Sequence, residues 1–249
     1  KYVGETTAVP RLGVPALHLQ DGPQGGRTDY PKGEERPGTS TAWPCALAVA
    51  ATFDPELVAV WGSAMAREFA GKGANVWLGP GLNVLRMPWN GRSFEYLSGE
   101  DPFLGAALVG PLVQAAQAEG VAATAKHFVG NTQETDRLEV DEVVDERTLQ
   151  ELYLPPFEAA VAADVAAFMC AYNRINGPYS CQNNATLIRT LRGDWGFQGW
   201  VMSDWGAAHA SEDMVQGLDQ EMPVANYFGE EKVRAEIREG RLAEADVDR

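Results

Sequence analysis

Residues 199–206 read GWVMSDWG, an apolar run with one β-branched residue that ends in a single acid, Asp204. A continuous apolar run is typical of a strand that is buried on both faces of a parallel sheet. In barrel enzymes the reactive side chains lie directly after the carboxyl ends of such strands. The stretch therefore predicts an α/β fold with a parallel sheet, and it places Asp204 at the edge of that sheet where chemistry is expected.

Similar segments recur along the chain and alternate with helix candidates, a pattern that favours βα units around one sheet. Strands are predicted at Ala16–Gln20, Ala46–Ala50, Asn75–Leu78, Val121–Ala125, Ala167–Ala171, Gly199–Ser203 and, with the weakest pattern, Leu218–Met222. A length of 249 residues suits one such domain. We predict a (β/α)8 TIM-type barrel, incomplete or with an irregular first strand, that forms a single domain over residues 1–249.

Helix signals lie between these strands. Asp54 and Asp101 each precede a proline, which predicts an N-cap followed by proline at the first helical position. Further helices are predicted after Asp145, with a kink or end at Pro155, and after Asn183 or Asn184. The four-residue spacing of Leu57, Trp61, Met65 and Phe69 predicts that all four side chains are buried along one face of the first helix.

Charge and composition restrict the partners. The chain has 20 Lys and Arg against 35 Asp and Glu, a net charge of -15 at pH 7, which disfavours nucleic acid and anionic membranes and suits a neutral substrate. The longest apolar run, Cys45–Phe53, is too short to span a bilayer. We expect no nucleic-acid partner and no membrane partner. The location stays open, with a secreted or periplasmic protein favoured over a cytoplasmic one.

The three cysteines, Cys45, Cys170 and Cys181, do not have the spacing of a metal site. An odd count leaves at least one free thiol, and a disulfide between Cys170 and Cys181 is one open alternative. Lys126 and His127 are sequence neighbours, which is not the spacing of a metal site on a helix. We predict neither a metal nor a cofactor.

Polar side chains follow several of the predicted strands, where a barrel gathers its site. Any one of them alone is equally well explained as a solvated loop residue, but their number weakens that explanation. The long segment between Pro80 and Gly99, which has no helical or strand period, follows a strand directly and is therefore a candidate for a functional loop. The candidates are Asp21, Arg27, Arg86, Arg92, Lys126, His127, Tyr172 and Asp204.

Several long motifs resemble those of glycoside hydrolase family 3, the β-glucosidase family, in its N-terminal barrel domain. They occur in the family's order across nearly the whole chain: LHLQDGPQGGR (Leu17–Arg27), NGRSFEYLSGEDP (Asn90–Pro102), KHFVGNTQETDR (Lys126–Arg137), MCAYNRING (Met169–Gly177) and VMSDWGA (Val201–Ala207). The β-N-acetylglucosaminidase branch of this family instead has a glycine-histidine pair in the third motif. That pair is missing here, so the glucosidase branch fits better.

The resemblance implies roles for individual residues. Asp204 would be the nucleophile that forms a covalent glycosyl-enzyme, and it would have to stay ionised near Arg92, Lys126 or Arg137. Asp21 would accept hydrogen bonds from sugar hydroxyls remote from the scissile bond, and we expect Lys126 and His127 to donate hydrogen bonds to the ring hydroxyls. Other side chains expected to line the sugar subsite are Arg27, Arg92, Arg137 and Tyr172, with Trp205 and, less favoured, Trp89 as stacking surfaces. His18 and His209 lie away from the motifs.

One part of the mechanism has no candidate. In the family the general acid/base is usually a glutamate from the domain after the barrel, so the resemblance implies that a C-terminal domain completes the site and that this chain is a partial one. Glu95, Glu100, Asp101, Glu134 and Asp136 are the remaining acids in the motifs, and the resemblance promotes none of them.

These observations favour a retaining exo-β-glycosidase domain, a β-glucosidase before others, with a small β-glucoside or oligosaccharide as substrate. Two alternatives stay open. One is a noncatalytic sugar-binding barrel that lacks a general acid. The other is an enzyme of different sugar preference, such as a β-xylosidase.

Overall fold

A computed structural model of the protein describes residues 2–27 and 39–248. Its strands within these ranges, in chain order, are β1 (Gly4–Glu5), β2 (His18–Asp21), β3 (Val76–Leu78), β4 (Ala122–Phe128), β5 (Asp141–Glu142), β6 (Ala167–Cys170), β7 (Arg174–Ile175) and β8 (Trp200–Ser203). Its helices are α1 (Ala46–Ala50), α2 (Pro55–Gly71), α3 (Pro102–Ala118), α4 (Glu146–Thr148), α5 (Pro155–Ala162), α6 (Glu230–Arg238) and α7 (Glu244–Val247). Shorter 3-10 and π turns join them.

The main sheet has the order β1-β2-β3-β4-β6-β8. Strands β2, β3, β4, β6 and β8 are parallel, and β1 is antiparallel to β2. Beyond β8, Gln220 forms a single parallel bridge with Met202. The predicted α/β barrel-type fold is confirmed, and its first strand is irregular because it runs against the others.

The sheet curls around an apolar interior. Leu19, Met169, Met202 and Met222 are all at most 3% exposed and belong to one cluster inside the curl. Gly4 of β1 packs against the segment that follows β8, because a Cβ atom at Gly4 would lie 2.3 Å from the Met222 side chain. The irregular first strand and the segment after β8 therefore approach each other across the interior.

The helices cover the outside of the sheet. Helices α2 and α3 pack closely, since a Cβ atom at Gly62 would lie 2.5 Å from the Leu112 side chain. A larger apolar cluster fills the space between sheet and helices, with Phe69, Leu112, Phe157 and Phe168 among its buried members. No helix within residues 2–27 and 39–248 combines the length and the apolar character needed to cross a membrane.

Both predicted Asp-Pro helix starts are confirmed. The Asp54 carboxylate accepts hydrogen bonds from the backbone N–H groups of Glu56 (2.9 Å) and Leu57 (3.1 Å), and Asp101 accepts one from Phe103 N (2.9 Å). The prediction that Leu57 is buried was wrong, because its side chain is 44% exposed. Residues four apart drift by about 40° around a helix, so the stripe that buries Trp61, Met65 and Phe69 has turned toward solvent at Leu57.

The later helix predictions hold as well. The Asp145 side chain caps α4 through Thr148 N (3.0 Å), and the helical run is interrupted before α5 begins at Pro155. The Asn183 side chain, rather than Asn184, accepts from Ala185 N (3.1 Å) and Thr186 N (3.3 Å) at the start of a π-helical segment, Ala185–Asp194.

Two strand predictions were wrong or incomplete. Residues Ala46–Ala50 form helix α1 rather than a strand. The segment contains three alanines, the best helix former, and its buried residues Ala46, Val49 and Ala50 recur at helical spacing. The predicted strand at Leu218–Met222 is reduced to the bridge of Gln220.

The cysteines fall into two groups. Cys170 at the end of β6 and Cys181 form a disulfide, and both are fully buried. Cys45 is free. The Cys170 carbonyl accepts a hydrogen bond from Asp204 N (3.1 Å), so the disulfide lies directly beside Asp204.

Candidate active site

The carboxyl ends of the parallel strands meet at one cavity of about 450 Å³. Asp21 is the last residue of β2, Lys126 and His127 lie near the end of β4, and Asp204 follows β8. The adjacent strand ends are in register, with Asp21 beside Leu78 and Cys170 beside Ser203. Nine of the predicted site residues line this cavity: Asp21, Arg27, Arg92, Lys126, His127, Arg137, Tyr172, Asp204 and Trp205. Arg86 does not line it and donates instead to the side chains of Thr132 and Gln133.

Asp204 is held by its backbone and one carboxylate oxygen. Its Oδ1 accepts a hydrogen bond from Trp205 N (2.8 Å). Its Oδ2 is buried and accepts no hydrogen bond of good geometry among the described residues; the Tyr172 hydroxyl lies close enough to help lower the pKa of this carboxylate, but it donates to the Trp205 carbonyl. Burial raises the pKa of Asp204 above its ordinary value, although the Arg92 guanidinium, the Trp205 N–H and the Lys126 ammonium oppose that rise. Arg92 and Lys126 thus favour the carboxylate form, as expected, but desolvation is the larger effect.

Lys126 connects two acids. Its Nζ lies 2.9 Å from Asp21 Oδ1 and 3.8 Å from Glu95 Oε2. Burial lowers the pKa of the Lys126 ammonium, but the charges of Asp21 and Glu95 outweigh burial and leave that pKa above its ordinary value. Burial likewise raises the pKa of Asp21, and Lys126 reverses the effect, so that the net shift is downward. Both groups are therefore charged.

Arg92 and His127 form a second pair. Arg92 Nη2 lies 2.9 Å from His127 Nε2. A guanidinium can only donate, so we assign Nε2 as the acceptor and place the ring proton on Nδ1, 3.3 Å from Tyr96 Oη. Burial, followed by the charges of Arg92, Lys126 and Arg137, lowers the pKa of His127 well below its ordinary value. His127 is thus neutral, and its Nε2 accepts from Arg92, so this atom is not the hydrogen-bond donor that was expected.

The remaining predicted residues form the outer part of the cavity. The Arg137 guanidinium carbon lies 5.0 Å from the centre of the Tyr172 ring, and the Tyr172 hydroxyl donates to the Trp205 carbonyl (3.2 Å). Arg27 Nη1 lies 3.9 Å from Asp21 Oδ2, with 61% of its side chain exposed. These contacts place aromatic and cationic side chains around the buried Asp204 carboxylate and the partly exposed Asp21 carboxylate.

Some cavity residues were missed at the sequence level. Phe94, Glu95 and Met169 also line the cavity. Glu95 was named only as an acid without an assigned role, although its place three residues after Arg92 is a signal for an ion pair. Met169 lies in a buried strand, where an apolar residue reads as core, so nothing in the local pattern distinguishes it.

Other aromatic and histidine predictions fall outside this cavity. Trp89 is 78% exposed and belongs to a separate depression with Asn90, Gln133 and Glu134. His18 stacks on Tyr2, with ring centres 4.3 Å apart, and His209 stacks on Tyr179 at 3.8 Å. Over the described ranges, no three His, Cys, Asp or Glu side chains converge as a metal site would require.

Comparison with known proteins gives this cavity a context. A family model described as "Glycosyl hydrolase family 3 N terminal domain" matches residues 7–247. The chain belongs to glycosyl hydrolase family 3. Within this family it is 45% identical to a β-glucosidase of Rhizobium radiobacter over 240 residues, which cover 95% of the chain and 29% of the relative.

Two further members show the spread of the family. An exo-α-(1→6)-L-arabinopyranosidase of Bifidobacterium breve is 41% identical over 97% of the chain and 32% of its own length. β-Glucosidase 3B from Thermotoga neapolitana, solved in complex with glucose, superposes with a TM-score of 0.91 and 41% identity over 98% of the chain and 35% of that structure. The family 3 chain described here thus spans about a third of the length of these relatives.

Proposed function

We propose that this chain is the nucleophile-bearing domain of a retaining exo-β-glucosidase, which removes terminal non-reducing β-D-glucosyl residues through a covalent intermediate on Asp204. The observation that carries the proposal is the Asp204 carboxylate itself. One oxygen is held by the backbone while the other is buried without a partner in a cavity lined by hydrogen-bonding side chains. A fixed carboxylate with one oxygen left free is what a nucleophile requires.

The proposed first step forms one bond and breaks one. Asp204 Oδ2 attacks the anomeric carbon, the glycosidic C–O bond breaks, and the leaving oxygen takes a proton from a general acid. In the second step the general acid, which has lost its proton, acts as a base and takes a proton from water. The water oxygen then attacks the anomeric carbon and releases the Asp204 carboxylate. The sugar leaves with its original anomeric configuration.

The other cavity residues would orient the sugar. Asp21 is an acceptor already paired with Lys126, so each could exchange part of that ion pair for a sugar hydroxyl without leaving a buried charge unpaired. Arg92, Arg137 and Tyr172 provide further polar groups around the ring, and Trp205 provides an indole surface. A neutral polyol suits this mixture, in which opposite charges already balance each other.

The general acid/base is the missing part. We treat residues 1–249 as one barrel domain and propose that the general acid/base comes from a segment of the protein outside it. The relatives, of which this chain covers 29–35%, leave ample length for a following domain. Retention requires that its carboxyl group come within about 5 to 5.5 Å of Asp204.

The proposal is tested by replacing the nucleophile in the complete protein. Asp204→Asn keeps the shape and the Trp205 contact but removes the attacking charge, so hydrolysis of 4-nitrophenyl β-D-glucoside should fall by at least about 10⁴-fold. Asp101→Asn, at an exposed helix cap where Asn serves as well as Asp, is the matched control and should retain wild-type kcat/KM.

A trapping experiment identifies the atom that attacks. With a 2-deoxy-2-fluoro-β-glucoside carrying a good leaving group, the wild-type protein should accumulate a glycosyl adduct on the peptide that contains Asp204, detected by mass spectrometry. An adduct on another residue would refute the assignment, as would near-normal turnover by Asp204→Asn.

A noncatalytic sugar-binding barrel is the rival reading. It predicts that the complete protein binds glucose, measured by calorimetry, but releases no nitrophenol from any aryl glycoside and forms no adduct. The two readings therefore give opposite results in the same pair of measurements.

The sugar preference also needs a direct test, since one relative of 41% identity is named for an arabinopyranosidase. Nitrophenyl β-glucoside, β-xyloside and α-L-arabinopyranoside should be compared by kcat/KM. If Asp21 holds the outer hydroxyls of a hexose, as proposed, the glucoside should lead, and Asp21→Asn should reduce its lead over the xyloside.

A further inference from the structure

Glu95 is a buried acid in the cavity wall that the proposed mechanism does not use. Its side chain is 4% exposed, and it ends a 3-10 turn, Ser93–Glu95, in the segment that follows β3. Its Oε1 is paired with Arg92 Nε. Its Oε2 lies 3.8 Å from Lys126 Nζ, so a single carboxylate contacts one cation from its own segment and one from β4.

The Arg92 guanidinium has a second acid within reach. His127 Nε2 lies 2.9 Å from Arg92 Nη2 and 3.7 Å from Asp204 Oδ2, so the guanidinium and the proposed nucleophile are both neighbours of the same ring atom. Arginine and carboxylate form strong two-pronged ion pairs when nothing prevents them. In this structure no such pair forms: Arg92 Nε is paired with Glu95 and Arg92 Nη2 with His127, and Asp204 Oδ2 has no hydrogen-bond partner within the described residues.

We propose that Glu95 is a positioning residue that holds Arg92 away from Asp204 and so keeps the nucleophilic oxygen free. The inference rests on the proposed function of Asp204. Glu95 also shares the Lys126 ammonium with Asp21, which limits the pairing of Lys126 with any single acid. Without Glu95, Asp21 and Asp204 would be the carboxylates of the cavity lining left for Arg92 and Lys126, and an Arg92–Asp204 ion pair would block the attacking oxygen.

This role predicts a change in the ionisation of Asp204. The groups that face Asp204 are Arg92 from the segment after β3, Lys126 and His127 from β4, and Tyr172 after β6. His127 is neutral, so Arg92 and Lys126 are the charges that favour the Asp204 carboxylate. Releasing Arg92 toward Asp204 would strengthen this effect and lower the pKa of the nucleophile.

The test uses Glu95→Gln in the complete protein, with 4-nitrophenyl β-D-glucoside as the probe. We expect kcat/KM to fall on the order of 10²-fold, since misplacing one group at a reacting centre has an effect of this size. The fall should be mainly in kcat, because the attacking oxygen is blocked. The acid limb of the kcat/KM profile, set by Asp204, should move to lower pH by about 1.

Asp219→Asn is the matched control. Asp219 pairs with Arg192 and accepts from Val201 N (2.7 Å) at the other end of β8, so the substitution also weakens a half-buried arginine–carboxylate pair. It should lower Tm while leaving kcat/KM and the acid limb at wild-type values. Glu95→Asp keeps the charge but shortens the reach. It should lose about tenfold in kcat/KM, with a smaller shift of the acid limb in the same direction, and it replaces Glu95→Gln if that variant does not fold.

The outcomes separate the two proposals. Hydrolysis by the wild-type protein together with wild-type kcat/KM in Glu95→Gln would overturn the role of Glu95 and leave the proposed function standing. Loss of activity with an unmoved acid limb would also overturn it, because it would reduce Glu95 to structural support. If the wild-type protein hydrolyses no glycoside, the proposed function itself fails.

Discussion

The buried carboxylate of Asp204 costs folding free energy because its surroundings do not fully replace the water it has lost. Its Oδ2 has no hydrogen-bond partner within the described ranges, and burial raises its pKa in spite of Arg92 and Lys126. In the folded protein the protonated form is thus favoured relative to the unfolded chain. Sites that retain such a group trade stability for function.

Asp204→Asn should therefore raise Tm at pH 7. A carboxyl whose folded pKa lies above its unfolded value destabilises the protein at every pH above the folded pKa, and this cost disappears as the pH falls below the unfolded value of about 3.9. Calorimetry of the sugar-free protein should show a gain in Tm at pH 7 that vanishes near pH 3. Asp101→Asn should show no gain at either pH, and a gain for Asp204→Asn that persists in acid would contradict this electrostatic explanation.

At the scale of elements, the strand ends supply the cavity residues, whereas the helix caps stabilise the outer layer. Strands β2, β4 and β8 deliver Asp21, Lys126 and Asp204 to one cavity, because parallel strands end at the same edge. Helices α2 and α3 hold the outer layer and begin at aspartates whose side chains satisfy otherwise unpaired backbone N–H groups.

Asp54→Ala should lower the free energy of unfolding by about 1 kcal/mol, because two backbone donors at the start of α2 lose their acceptor. The urea midpoint of unfolding measures the change. Asp54→Asn, which can still cap, should lose much less. Equal losses for the two variants would show that charge, rather than the hydrogen bonds of the cap, stabilises the helix.

At the scale of the whole molecule, two apolar regions are separated by the curled sheet. One lies inside the curl, and the larger one lies between sheet and helices. Phe168 of β6 is fully buried in the larger region, with its ring centre 5.2 Å from that of Phe128 and 4.9 Å from that of Phe197. This aromatic group joins β4, β6 and the segment before β8, and so supports the strands that carry the cavity.

Phe168→Ala should destabilise the protein by about 3–5 kcal/mol, the usual cost of removing a buried ring and leaving a cavity. Phe53→Ala is the control, since Phe53 is 70% exposed, and it should change stability by less than about 0.5 kcal/mol. Chemical denaturation followed by fluorescence measures both variants. A small loss for Phe168→Ala would mean that neighbouring rings collapse into the space.

The sequence by itself determined three properties: the order of the motifs, the parallel strand ends and the Asp-Pro caps. Each depends on residues close together in the chain: an apolar run ending at Asp204, or a capping side chain two or three residues from its donor. The same local patterns misassigned Ala46–Ala50 and Leu57, because an alanine-rich run and a four-residue spacing do not specify which surface a neighbouring element covers.

Only the tertiary structure decided which charged side chains of the cavity pair with each other. Glu95, Lys126 and Asp21 come from separate segments, and their pairing depends on distances that no sequence spacing encodes. The upward pKa shift of Asp204 and the acceptor state of His127 likewise arise from burial and from Arg92, which folding brings to them across the sheet. Burial and Coulomb energies depend on separation in space, so the sequence could name the residues of this site but not their protonation or their partners.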